Sequence, residues 1–422
     1  MANQNAAKKR LSPTVIYILT GLIAALPGLL LSTFALHSWR DGTTLTPDSL
    51  MAIHLTILGF MLTVAFGVLY QIVPIAFQAS PLPRHVYQWH LPAHLFAVAG
   101  MVVGFGLTRY LWVGIFGSVL VAFACAYLWF VLRSYRHARN KTHVHRQLAW
   151  PFLSFIGVTT LGLYQAFVAS QVTQPVLLSH VVLGGIGMWG GLVIAVSYKL
   201  VPMFSLSHGY HARLPYVTGF YYSAVVCYLL AQITGNHLLL VLGILATGVA
   251  VVGFSSDIVR ILRARKRKRI VLPLKEALLA LAISLGALCL VLIGWSIGRT
   301  HTALVGAYLF TFAGLIPMMM AYIQKMIPFL WFEYRFSKSK DRKTAPLIDE
   351  MISKPVATTG FIGYYIGVIS GLVYLLLPTE EPARFGTVWQ VLFGLFCIFG
   401  VLGMFAALAK VVTIGGKRPA DS

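Results

Sequence analysis

Three histidines open the same phrase in this chain. His54 begins "HLTILG", His180 begins "HVVLGG" and His301 begins "HTALVG", each five residues before a glycine (Gly59, Gly185, Gly306). Each stretch then runs to a proline: "YQIVP" ends at Pro74, "YKLVP" at Pro202 and "QKMIP" at Pro328. The histidine-to-proline spacings are 20, 22 and 27 residues, so the third copy diverges most. A neutral imidazole nitrogen is the commonest protein ligand for transition metals, and it also binds haem iron. Two such nitrogens on facing helices clamp a flat macrocycle, and three hold copper or zinc. Glycine a turn beyond each histidine lets a backbone or a flat ligand come close. The competing readings need no cofactor: a histidine that only hydrogen-bonds between helices, and a glycine-rich face, "GGIGMWGGL" over 184–192, that only packs.

Other histidines carry weaker signals. His237, in "TGNH", lies at the boundary between two apolar stretches on the same side as the three above and is a further candidate ligand. His90 and His94, in "QWHLPAH", are spaced i, i+4, which could hold a metal on one helical face, although Pro92 stands between them. Most of the remaining histidines fall in basic loops and read as solvated. Lys199 and Lys325 sit three residues before their prolines; they read as lysines snorkelling to the interface, or as contacts to an anionic ligand or lipid. Cys125, Cys227, Cys289 and Cys397 are scattered one to a span, with no CxxC pair and no CxxCH haem-attachment motif, and read as small buried residues.

The elements that must carry these residues are membrane helices. The chain has 422 residues, 58% of them hydrophobic and only 10% charged, against about 25% charged in soluble domains. Apolar stretches of about 20 residues, the length needed to cross the hydrocarbon core, recur about a dozen times. The pattern predicts an all-α integral membrane protein of about twelve transmembrane helices in three pseudo-repeated groups of four, over 14–132, 149–256 and 273–412. The histidine-bearing spans, at 50–76, 176–202 and 301–329, are the second helix of each group. The first apolar stretch follows Lys8, Lys9 and Arg10 but has no small-residue cleavage site, so no removable signal peptide is expected.

Charge then sets topology. With twelve spans and both termini cytoplasmic, only Arg40, Arg109, Arg299 and Arg384 of the 33 Lys and Arg residues fall outside, the positive-inside pattern of a multi-pass cell-membrane protein. The basic runs at 133–146 and 260–269 read as topology signals that attract anionic lipid heads. They contain no basic–aromatic recognition module, so the formal charge of +22 does not point to nucleic acid. His54, His180 and His301 then all fall near the outer ends of their helices. No carboxylate is expected in mid-membrane, which removes the usual acidic proton relay or cation-transport dyad; Asp257 and Glu276 fall near the inner boundary.

Twelve spans in three groups of four, with histidines at the outer ends of spans 2, 6 and 10, resemble the haem-copper oxidase subunit I superfamily. The texture is closest to the cbb-type oxidases and nitric oxide reductases, whose sixth helix has a histidine followed by a glycine-rich run, as "HVVLGGIGMWGGLVIAVSYKLVP" does here. NnrS-type membrane haem proteins have similar His-bearing spans. The resemblance implies that His54 and His301 ligate haem b, that His180 corresponds to a copper ligand of the sixth helix, and that His237 falls where the family places its copper-binding pair. It implies electron transfer, or binding and reduction of nitric oxide or oxygen, with a quinol or cytochrome as donor. The chain departs from the family in having one histidine in span 10 rather than two, one after span 7 rather than a pair, and no tyrosine at the cross-linking position after His180. It therefore resembles a pared-down relative. Two other classes fit the repeat: a transporter or metal-handling permease with histidines along its path, and an accessory or assembly subunit that keeps only the scaffold.

Overall fold

The structure is a computed structural model that describes residues 12–77, 80, 83–138, 147–168, 172–266, 269–336, 345–378 and 383–414. Parts of both basic runs (139–146, 267–268) and the acidic pair Glu380 and Glu381 lie outside the described residues.

Among the described residues twelve long helices form, and the apolar runs explain each. They are α1 (Pro13–Arg40), α2 (Pro47–His54 and Thr63–Phe77), α3 (Arg84–Gly106), α4 (Tyr110–Arg136), α5 (Ala149–Phe167) and α6 (Gln174–Val181 and Gly191–Ser205). They continue with α7 (Leu214–Thr234), α8 (His237–Arg263), α9 (Leu272–Ser296), α10 (Thr300–Tyr308 and Ile316–Arg335), α11 (Lys354–Leu376) and α12 (Ala383–Thr413). Proline in the first turn starts α1, α2, α6, α7, α9 and α11, where its missing N–H costs nothing. Gly235, at φ +67°, ends α7 in the left-handed conformation that favours glycine.

Eleven of the twelve are long and apolar enough to cross a membrane. The exception is α5, which has 19 residues and is diluted by Trp150, Pro151, Thr159, Thr160 and Gln165. The chain is thus an all-α integral membrane protein. Its helices pack as antiparallel pairs, α1 with α2, α3 with α4, and so on to α11 with α12. Contacts of α4 on α5, α8 on α9 and α12 on α1 close the three groups of four into a ring.

The second helix of each group lies inside that ring. In α2, α6 and α10, 67%, 61% and 61% of the most apolar eighteen residues are buried, whereas the other spanning helices range from 28% to 56%. Within those stretches most of the surface of these three helices therefore faces protein rather than lipid. The cysteines do not follow the expectation of burial: only Cys397 is buried, Cys227 is intermediate, and Cys125 and Cys289 are exposed on α4 and α9. Those two helices pack with one face only, and cysteine is apolar enough to sit on the other.

Candidate functional site

The inner three helices share a distortion that the apolar pattern does not reveal. Each passes through a π-helical segment: Leu55–Leu62 in α2, Val182–Gly190 in α6 and Leu309–Leu315 in α10. π-Helix is rare and concentrates at functional sites, because the widened turn leaves carbonyls without their usual partner. The three segments end twelve, twelve and thirteen residues before Pro74, Pro202 and Pro328. Counted from the prolines the repeat is in register; counted from the histidines it is not. His54 directly precedes its π segment, and His180 is two residues before its own. In α10 the residue directly before the segment is Tyr308, with His301 two turns earlier.

Side chains from neighbouring helices, and one from α2 itself, supply the missing donors. In α6, Tyr221 Oη donates to the Ile186 carbonyl at 2.7 Å and Tyr222 Oη to the Gly187 carbonyl at 2.9 Å. Both hydroxyls lie so close to Gly190 and Gly191 that any Cβ there would collide with them. In α2, Thr63 Oγ1 donates to the Gly59 carbonyl at 2.7 Å, and His94 Nε2 donates to the Leu58 carbonyl at 3.0 Å. The adjacent tyrosines and paired glycines were the available sequence signal for the α6 arrangement.

His54 Nδ1 donates to the Leu50 carbonyl one turn back, at 2.8 Å. That bond fixes the tautomer and leaves Nε2 with a bare lone pair, which is how metal-ligating histidines are normally held. Phe105 of α3 packs on the ring, centroids 4.5 Å apart. His180 stands ahead of the π segment of α6 much as His54 stands ahead of that of α2. The His180 ring rests against Gly162 of α5, where a Cβ would sit 3.1 Å from Cε1, and its Nδ1 is buried without a hydrogen-bond partner. A Cβ on Gly185 would meet nothing within 4 Å, so there is open space beside the α6 π segment.

His301 and His237 are placed differently. His301 is exposed and its Nε2 donates to the Leu375 carbonyl of α11 at 2.9 Å. His237 is exposed at the first turn of α8, after Asn236, whose Oδ1 caps the Leu238 N–H at 2.9 Å. The described contacts of His54 and His301 have no residue in common. Neutral imidazole nitrogens at His54 and His180, the first left bare at Nε2 by the Leu50 bond and the second buried at Nδ1 without a partner, fit a haem or a transition metal; His301 is exposed and its Nε2 is taken by the Leu375 carbonyl. Among the described residues no three His, Cys, Asp or Glu side chains are grouped to hold a metal ion.

His90 and His94 are the most deeply buried histidines, at 3% and 0% exposure, and Pro92 does not interrupt α3 between them. Nδ1 of His90 lies 2.9 Å from Tyr17 Oη and 2.8 Å from Tyr70 Oη. Toward the far end of the bundle, Lys325 pairs with Asp349, while Asp257 of α8 accepts from Tyr198 Oη at 2.8 Å and the Arg213 N–H at 2.6 Å. Both carboxylates thereby serve packing between elements. No protein-family model matches the chain, and no curated protein matches it by sequence.

Proposed function

We propose that this chain is a membrane-bound b-type haem protein, similar to a pared-down haem-copper oxidase or nitric oxide reductase catalytic subunit. It would act in electron transfer, or in binding and reducing a diatomic gas. The observation that carries the reading is the His54 Nδ1 bond to the Leu50 carbonyl, which presents Nε2 as a ligand on a buried helix. In this account His54 would hold the iron and His180 would supply a second nitrogen donor, for the same group or for a neighbouring copper. Haem supplies an iron that changes oxidation state; with one protein ligand it keeps a position open for a gas, and with two it suits electron transfer. Phe105 packs on the His54 ring and Gly162 leaves room for the His180 ring. In this reading the basic loops face the cytoplasm, which supports an extracytoplasmic position for this end of the bundle in the cell membrane, and a quinol or cytochrome would be the donor.

A pyridine haemochrome assay on protein purified in mild detergent tests the reading. We expect about one haem b per chain in the wild type and loss of haem in His54→Ala. Protein that folds, stays monodisperse and carries no haem would contradict it.

A further inference from the structure

We infer that His90 and His94 form a separate metal site that takes one cuprous ion between the first four helices. The argument starts from tautomers. His94 Nε2–H donates to the Leu58 carbonyl at 3.0 Å, so its Nδ1 carries a bare lone pair, and that nitrogen is buried without a partner. His90 has its Nδ1 against two tyrosine hydroxyls, and its Nε2 is likewise buried and unpartnered. When Nδ1–H donates to Tyr17 or Tyr70, Nε2 is a second bare lone pair. The two rings stand one turn apart on α3, centroids 6.0 Å apart and planes at 47°. Two imidazoles that share a metal through one nitrogen each have centroids about that far apart, given metal–nitrogen bonds of about 2 Å.

The surroundings select the ion. Tyr17, Thr63, Phe66, Tyr70, Phe123 and Tyr127 pack on the two rings. These neighbours are aromatic or hydroxylic, so nothing there offsets a second positive charge, while ring faces favour a single one. Zinc takes four ligands and its structural sites supply them from the protein. Among the described residues no third His, Cys, Asp or Glu joins the pair. A d¹⁰ monovalent ion satisfied by two neutral nitrogens matches that donor set, and Cu(I) is the one that imidazole binds well. Loading exchanges the ion's solvent ligands for two lone pairs and releases no proton from either ring. Tyr17 and Tyr70 act as positioning residues, since they set which His90 nitrogen is free.

The test loads the full-length protein in detergent with Cu(I) under anaerobic conditions, against a chromophoric cuprous chelator, and measures copper retained after gel filtration. The wild type is expected to keep one copper per chain more than His90→Gln and His94→Gln keep. His54→Ala keeps its copper, and the two glutamine variants keep their haem, so this proposal and the haem reading fail independently. Tyr70→Phe is expected to weaken retention by about 10-fold or more, as loss of an outer-shell partner does. Should the histidine variants not fold, the copper X-ray absorption edge of the wild type decides, with two nitrogen neighbours expected. Wild-type protein that retains no more copper than His94→Gln, a first shell containing sulfur or four ligands, or equal retention of zinc(II) would overturn the proposal.

Discussion

Tyr308 stands directly before the third π segment, in the position that His54 holds before the first. Its hydroxyl donates to the Val368 carbonyl of α11 at 2.7 Å, from a fully packed site beside Phe312 and Phe393. The first repeat therefore carries a metal-competent ring where the third carries a helix–helix hydrogen bond. Replacing Tyr308→Phe removes that bond and leaves the ring packing; the expected loss is about 1 kcal/mol, the scale of interhelical hydrogen bonds in membranes. Thermal unfolding in detergent would register it, and haem content should not change.

The same register separates His54 from His301. His301 donates to Leu375 and is exposed, so His301→Ala is expected to leave the haem content at its wild-type value, whereas His180→Ala is expected to alter the spectrum by removing the second proposed nitrogen donor. Haem quantified per chain for both variants checks this. Loss of haem in His301→Ala would return the ligand pair to His54 and His301.

Gly190 and Gly191 leave room for the tyrosine hydroxyls that satisfy the α6 π carbonyls. Gly190→Ala should force Tyr221 away and cost about 1–3 kcal/mol, the range for overpacking a core. Adding Tyr221→Phe removes the atom that the methyl meets, so the double variant should be destabilised by less than the sum of the two single changes. A double-mutant cycle read by thermal unfolding gives the coupling.

Lys325 and Asp349 are paired at the loop-rich end, with side chains 12% and 22% exposed. Removing one partner, as in Asp349→Asn, should cost about 1–3 kcal/mol, between the values for exposed and buried pairs. Lys325→Met together with Asp349→Asn should recover part of that loss.

How much of this could be read from the sequence depends on which physical signal each feature leaves. Hydrophobic run length alone specifies the helices, because lipid requires it, and the three helices marked by the repeated histidine and proline are the most buried of the spans. The position of the cysteines was not legible: Cys125 and Cys289 are as apolar as buried neighbours, and nothing in their spacing says which face meets lipid. The π segments were hidden for a different reason. A π turn adds a residue without changing hydrophobicity, so run length does not reveal it; the segments align when counted from Pro74, Pro202 and Pro328, whereas His301 stands two turns further from its segment than His54 does from its own. His90 and His94 looked weak in sequence because a proline separates them, yet α3 runs through Pro92 unbroken and buries both.

The central claim is that His54 Nε2 ligates haem iron. A reduced-minus-oxidised optical spectrum of the purified protein, taken with and without carbon monoxide and repeated on His54→Ala, addresses it most directly. The account predicts a b-type Soret and α-band in the wild type and their absence in the variant. A wild type with no Soret band, or a His54→Ala spectrum indistinguishable from it, would contradict the account.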